Sequence, residues 1–583
     1  MKGFRGTVAH RFTESPLLQL RLPAWRSRLI AVLILSSFAV LIGRAFYLQV
    51  LNNDFLQEKG ESRYRRDIEI SASRGRIADR HGDVLAISTP MKSIWAMPSD
   101  ATLTPEQTRQ LAALLETDPA QLARKLDTDK AFVFLRRQIP PMVADQVAAL
   151  KLPGIGQDKE YRRFYPTGDM TAHMVGFTGV DDKGLEGVEL AFHGQLLGQP
   201  GSRSVIKDRR GQIVEDVGSI KPPRDGKDIR LALDSKIQYV AYSHLKQAIA
   251  ENNAKAGGIV VLDARTGEIL ALANWPTYNP NNREKLSGSQ LRNRAVTDTF
   301  EPGSTLKPFT IALALDAGKV RFDTIINCAP GRLTIGSATI ADAHPHGALT
   351  VAQVIQKSSN VGAAKIAATM PAQKMWQMFD DVGFGQIPRL GFPGEVSGRV
   401  RPWKSWRPIE QATMSYGHGI SVSLIQLARA YSVFARDGDL VPLSLTRIDG
   451  AAAQGATVFS RQTARDVRAM LEMAVQTGGT APKAQIPGYR VAGKTGTAHK
   501  LEGGRYARKY VSSFVGFAPV SDPRLIVAVM IDEPSSGKHY GGDVAAPVFA
   551  SVMSNSLRTL GVAPDLPLVV AQSPKSPTVK AKL

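Results

Sequence analysis

Apolar positions fall into three regimes along the chain. Residues 29–43 carry no charge, and after Arg44 the apolar run resumes through 51, long enough as a helix to cross a hydrocarbon layer of ~30 Å. From 67 to 223 the pattern is mixed: Ile68 and Ile70 alternate as in a strand, 105–126 has helical spacing, and Gly and Pro recur as punctuation. Lys221-Pro222-Pro223-Arg224-Asp225-Gly226 is a stiff polar break and the expected domain boundary. Beyond it a helical stretch at 235–251 precedes two β runs, 258–263 and 268–272, closed by a Thr266-Gly267 turn. A second hairpin joins 513–519 to 525–531 across Ser521-Asp522-Pro523. Helical spacing fills the interval, at 305–318, 350–369, 423–437 and 463–477, and 546–560 would close the domain. Strands from both ends around a helical middle predict an α+β fold: an antiparallel sheet completed by the two ends, with helices packed on it. The expected segments are a leader at 1–28, a membrane anchor at 29–51, an N-terminal pedestal module at 52–223, a main domain at 224–562, and a disordered Pro- and Lys-bearing tail at 563–583.

Charge changes the picture in two ways. Lys2, Arg5, Arg11, Arg21, Arg26 and Arg28 precede the apolar run against Glu14 alone, so the positive-inside bias puts the N-terminus in the cytoplasm and the bulk of the chain outside. A cleaved signal peptide competes with this reading. Ser37-Phe38-Ala39 resembles a cleavage site, but it lies inside the apolar run, which favours an uncleaved anchor. Arg44 would snorkel to the outer interface. The net charge of +21 over 583 residues would otherwise suggest nucleic acid. Export removes that partner, no nucleic-acid-binding motif is found, and the membrane and an anionic wall polymer remain. A single cysteine, Cys328, excludes an intrachain disulfide and thiolate clusters, and fits an oxidising compartment.

The ten histidines are scattered, no His-Glu-x-x-His occurs, and phosphate-cradling Gly loops are missing, so neither metal nor cofactor is expected. Serine nucleophiles remain. Glu301-Pro302-Gly303-Ser304-Thr305-Leu306-Lys307-Pro308 places Ser304 after a Pro-Gly turn and at the mouth of an apolar helix. There Lys307, three residues on, can reach the Ser304 hydroxyl, and free backbone N–H groups can receive an oxyanion. The helix N-terminus and burial would both disfavour an ammonium, leaving Lys307 able to act as a base. Ser-x-x-Lys also occurs at Ser204, Ser243 and Ser535, so the motif alone says little. Ser358-Ser359-Asn360, expected within or just before a helix, and Lys494-Thr495-Gly496-Thr497, expected on an edge strand, complete the order of motifs described for penicillin-recognising acyl-serine enzymes.

With these motifs the chain resembles the class B penicillin-binding proteins, and within them the septal D,D-transpeptidases. Further matching segments are 74–82, Arg163-Phe164-Tyr165-Pro166, Gly184-Leu185-Glu186-Gly187-Val188-Glu189, 277–281, Tyr416-Gly417-His418-Gly419 and Tyr540-Gly541-Gly542. The resemblance implies that Ser304 attacks the penultimate D-Ala carbonyl of a peptidoglycan stem peptide and Lys307 takes its proton. It implies that Ser358 relays a proton to the leaving amine, and that Asn360 bonds the donor peptide and Lys307. Lys494, Thr495 and Thr497 would hold the substrate carboxylate, Gly496, Tyr416 and Gly417 would border it, and the N–H groups of Ser304 and Thr497 would form the oxyanion hole. β-Lactam antibiotics would acylate the same serine. The implied partners are the membrane, the septal polymerase FtsW and other divisome proteins. Elongation-type transpeptidases and D,D-carboxypeptidases share the motifs. A free β-lactamase needs neither anchor nor pedestal, a penicillin-sensing receptor would be expected to carry cytoplasmic signalling machinery where only about 28 residues precede the span, and a scaffold with a dead site would lack a motif residue, whereas all are present.

Overall fold

A computed structural model describes residues 23–51, 65–207, 213–451 and 454–567. These divide into two compact units, 1–70 with 200–223, and 71–199 with 224–583. In the first, the helix Ala24–Phe46 runs into a π turn at Tyr47–Leu51, and the span through Val50 is apolar and long enough to cross a membrane. The same unit holds a three-stranded antiparallel sheet, with Gly201–Lys207 between Arg65–Ile70 and Ile213–Lys221. The leader before 23 lies outside the described residues.

The second unit is built on a five-stranded antiparallel sheet. Its strands are β1 (Ala256–Asp263), β2 (Ile269–Trp275), β3 (Ala492–Glu502), β4 (Arg505–Ala518) and β5 (Leu525–Asp532), in the order β2-β1-β5-β4-β3. Early and late chain therefore meet at the β1–β5 pair, where Val260 lies opposite Ala528. Side chains alternate across a strand, so one run of β-branched residues can feed two cores. Ile259 and Val261 pack on one face with Leu245 of helix α1 (Ser235–Glu251) and Phe549 of the C-terminal helix Ala546–Thr559. Val260 and Leu262 pack on the other with Phe309 and Ile311 of α2 (Lys307–Asp316). That second core is why α2, apolar on every side, can stand behind the sheet with Phe309, Ile311, Ala312 and Ala314 all buried.

Two expectations change. The stretch at 350–369 is two helices, α3 (Val351–Lys357) and α4 (Asn360–Ala367), because Ser358 takes a left-handed conformation (φ +60°) and ends the first. Within the second unit, Leu85, Tyr165, Met174 and Val188 share one core with Val260 and Phe309, so residues 71–199 pack against the main domain. The C-terminal edge moves as well: Asp565 accepts hydrogen bonds from the Arg490 N–H (2.7 Å) and the Ser521 hydroxyl (2.9 Å), which ties the chain down beyond 563. The tail from 568 lies outside the described residues.

A buried ion triad explains the polar segments near 74, 163 and 189. Arg74 Nε and Arg163 Nε each donate to one oxygen of Glu189 at 2.6 Å, and all three side chains are almost wholly excluded from solvent. Other guanidinium hydrogens go to carbonyls, among them Glu189 O (2.7 Å) and Gly75 O (2.8 Å), and to the Ser88 hydroxyl (3.1 Å). Removing one member leaves uncompensated charge in the interior. We expect Glu189→Ala to lower stability in urea titrations of the full chain by about 3–5 kcal/mol; a loss below about 1 kcal/mol would show that the two arginines are solvated after all.

Candidate active site

Three structural devices bring the motif residues together. The first is a 3₁₀ turn, Gly303–Leu306, that leads into α2. Gly303 has φ +56° and lies against the backbone of Thr497 on β3, so the Ser304 turn abuts the edge strand. From the other side Gly417 (φ +87°) supports it: the Gly303 N–H donates to Gly417 O at 3.2 Å, and a Cβ on Gly417 would run into the Gly303 backbone. The second device is the left-handed kink at Ser358, which turns both its carbonyl and its hydroxyl toward the α2 terminus. The third is β3 itself, an edge strand as expected, with Lys494 fully buried on its length.

Lys307 Nζ lies 2.9 Å from Ser304 Oγ, 2.6 Å from Ser358 O and 3.0 Å from Ser358 Oγ. Lys494 Nζ reaches the same Ser358 Oγ at 3.0 Å. Four side chains thus form one connected line, Ser304, Lys307, Ser358, Lys494. Burial and the neighbouring Lys494 push the Lys307 pKa well below the ordinary amine value, against the opposing pull of Asp342. Burial alone lowers Lys494 to about 7. A neutral amine has two hydrogens and one lone pair. With two donations to Ser358, the lone pair of Lys307 is left for the Ser304 hydroxyl. The Ser358 oxygen meanwhile accepts from both lysines, which leaves its own proton free to point into the cleft.

The remaining expected residues differ in what they touch. Thr495 Oγ1 donates to Thr480 Oγ1 at 3.1 Å, and Thr497 Oγ1 accepts from the Gly541 N–H at 3.0 Å with its hydroxyl proton uncommitted. Gly496 sits tightly against Pro302 O and Ser513, where a Cβ has no room. Tyr416 is buried and stacks edge-on with His418 at 5.1 Å. Asn360 makes no hydrogen bond to Lys307, contrary to expectation: its amide donates to Ala341 O at 2.9 Å.

Three residues escaped the sequence reading. Asp342 binds the start of α4, accepting from Ser359 Oγ (2.8 Å) and the Val361 N–H (2.9 Å), and is the carboxylate facing Lys307. Its loop, Ala341-Asp342-Ala343, carries no motif. In the segment Tyr416-Gly417-His418-Gly419, burial, with Lys307 and His499 nearby, lowers the His418 pKa to about 4 and keeps it neutral. Glu301, three residues before Ser304, accepts from the Gly419 N–H at 2.8 Å and the Tyr506 hydroxyl at 3.2 Å. Among the described residues there is no cluster of three or more His, Cys, Asp or Glu suited to a metal.

Comparison with known proteins agrees with this geometry. Residues 257–554 match the model of the penicillin binding protein transpeptidase domain, and 69–231 that of the penicillin-binding protein dimerisation domain. A probable peptidoglycan D,D-transpeptidase PenA of Neisseria gonorrhoeae is 46% identical over 540 residues, 92% of either chain. The peptidoglycan D,D-transpeptidase FtsI of Escherichia coli is 42% identical over 550 residues, 93% of either chain. Among solved structures, the transpeptidase domain of Burkholderia pseudomallei penicillin-binding protein 3 matches at 50% identity with a TM-score of 0.54, covering 58% of this chain and 98% of its own. The chain belongs to the penicillin-binding peptidoglycan D,D-transpeptidases, a family of serine acyltransferases.

Proposed function

We propose that this chain cross-links the stem peptides of septal peptidoglycan through an acyl-enzyme on Ser304, from an anchor whose N-terminus is cytoplasmic. The observation that carries the reading is the line of contacts from Ser304 through Lys307 and Ser358 to Lys494. The Ser304 hydroxyl loses its proton to Lys307 as Oγ attacks the penultimate D-Ala carbonyl. The N–H groups of Ser304 and Thr497, on the abutting turn and strand, receive the oxyanion. Ser358, with Lys307 behind it, hands a proton to the departing D-Ala nitrogen. Lys494 and the hydroxyls of Thr495 and Thr497 hold the terminal carboxylate, while Asn360, Tyr416, Gly417 and Gly496 shape the walls. A second stem peptide supplies the amine that resolves the ester. β-Lactams enter as mimics of the D-Ala-D-Ala end. The septal polymerase FtsW and other divisome proteins are the partners in this reading.

Labelled penicillin should modify Ser304 and no other serine in peptide maps of the full chain. Label on another residue, or label persisting in Ser304→Ala, would exclude the acyl-enzyme assignment. Lys307→Ala should reduce the labelling rate at least 100-fold while urea denaturation remains cooperative, since general-base assistance contributes roughly 10²–10⁴-fold.

Burial of Lys494 makes stability depend on pH. Its pKa is about 7 in the fold against 10.5 when solvated, so between those values the unfolded chain holds the extra proton. Stability contributed by this site therefore rises with pH across that window, and the full penalty applies below it. Lys494→Met should flatten the slope of unfolding free energy against pH by up to ~1.4 kcal/mol per pH unit; an unchanged slope would place the amine in water.

The septal assignment is checked separately. A fluorescent fusion should concentrate at the division plane, and uniform lateral fluorescence would favour the elongation role.

A further inference from the structure

A cavity of about 570 Å³ lies where residues 71–199 meet the main domain, within the roughly 300–1,000 Å³ range of small-molecule sites. Glu186 and Leu190 line it from one side, and Leu291, Phe392 and Pro393 from the other. None of them belongs to the line of contacts from Ser304 to Lys494. The polar groups on its walls are lopsided, because the side-chain donors are already committed. Arg292 pairs with Asp298 at 2.6 Å, and the Thr297 hydroxyl donates to the same carboxylate at 3.1 Å. Asn293 Nδ2 donates to His173 O at 3.3 Å, and the Tyr278 hydroxyl to Ala172 O at 3.1 Å.

The acceptors are free. Glu186 is half-buried and makes no hydrogen bond or ion pair among the described residues, and burial raises its pKa with no cation to offset it. His173 is only 6% exposed, and burial lowers its pKa to about 4, so the ring is neutral. Its Nε2–H donates to Gln290 O at 2.7 Å, which leaves Nδ1 as a lone pair with no partner among the described residues. Tyr278 stands against both groups: its ring meets that of His173 edge-on at 5.4 Å, and the Glu186 carboxylate adds to burial in raising its pKa. A carboxylate and a ring nitrogen between apolar walls call for a cation with diverging N–H bonds. An ammonium has three, whereas the planar guanidinium fork is matched to a single carboxylate. We propose that this cavity binds a primary ammonium carried on an apolar stem, with Glu186 as countercharge, His173 Nδ1 as second acceptor, and Leu190, Leu291 and Phe392 around the stem. Two sources share that chemistry, a free alkylamine and the lysine side chain of a partner polypeptide. Either one bridges residues 71–199 and the main domain, and so stabilises their contact by mass action. The site does not depend on which serine is acylated.

Saturation-transfer NMR on the full chain in detergent tests the site with two matched pairs of probes. One pair is n-pentylamine and n-pentanol; the other is the capped tripeptide Leu-Lys-Leu and its analogue with a hydroxyl in place of the lysine ammonium. Uptake by the micelle is the same for wild type and variant, so comparing the chains isolates the cavity. At neutral pH at least one amine should bind the wild type about tenfold tighter than its hydroxyl counterpart, the margin of a charge-assisted hydrogen bond. Glu186→Gln keeps the shape of the wall and should remove that margin, with an unchanged rate of penicillin labelling as the check on its fold. Leu190→Ala, at an exposed position, should weaken amine and alcohol alike by about threefold, through lost burial of the stem. A margin seen with n-pentylamine alone assigns the site to free amines, and a margin seen with the tripeptide assigns it to a polypeptide lysine. Equal binding of amine and alcohol by the wild type, no binding of either amine, or a margin that survives Glu186→Gln would overturn the proposal.

Discussion

Everything at the candidate site depends on two lysines sharing one hydroxyl in a dry pocket. Solvated, Lys307 and Lys494 would both be ammonium ions, and an ammonium cannot take a proton from serine. Burial lowers both, and Lys494 further disfavours the charge on Lys307. The arrangement needs a group that accepts from both, and Ser358 supplies it only because its backbone is left-handed. A non-glycine residue at positive φ is held there by its surroundings. The surroundings are Lys307 on the Ser358 carbonyl, and Asp342 fixing the start of the next helix.

The rest of the main domain can be understood as what keeps that pocket dry and rigid. Helix α2 is buried against one face of the sheet, so Ser304 and Lys307 are presented from a support with little freedom to move. The edge strand β3 places Lys494 inside and leaves the outer side of its backbone toward the Ser304 turn. Two glycines on facing loops, Gly303 and Gly417, allow an approach that any side chain would block. The core that supports α2 extends into residues 71–199, where the Arg74–Glu189–Arg163 triad fixes the chain path. A buried triad costs desolvation, and its value here lies in directionality: five-donor guanidinium forks tie distant loops at defined angles.

The sequence and the structure agree where one physical cause dominates locally. The hairpins at β1–β2 and β4–β5, helix α1 and the edge strand at Lys494 follow from period-two and helical spacing with turn residues between them. Ser304 and Lys307 were legible for the same reason, since three residues of helical spacing decide their contact. Asp342, Glu301 and His418 were not legible as site residues. Each acquires its role from a partner far along the chain, and an isolated Asp or Glu beside a loop looks like any solvated carboxylate. The break at Ser358 was hidden by uniformly helical spacing on both sides of it, and the expected Asn360–Lys307 hydrogen bond is replaced by one from the Asn360 amide to Ala341 O.

By itself, the sequence determined an apolar stretch long enough to cross a membrane, the fold class, the contact of Ser304 with its neighbouring amine, and the family, because these rest on continuous apolar length, on period, and on short motifs whose spacing is geometric. Only the tertiary structure decided which groups are charged and how far the core of the main domain reaches into residues 71–199. Protonation depends on exclusion of water by residues from α2, the Ser358 kink and β3 together, and the extent of the core depends on which apolar faces meet. Both are sums over contacts between remote parts of the chain, which no local window contains.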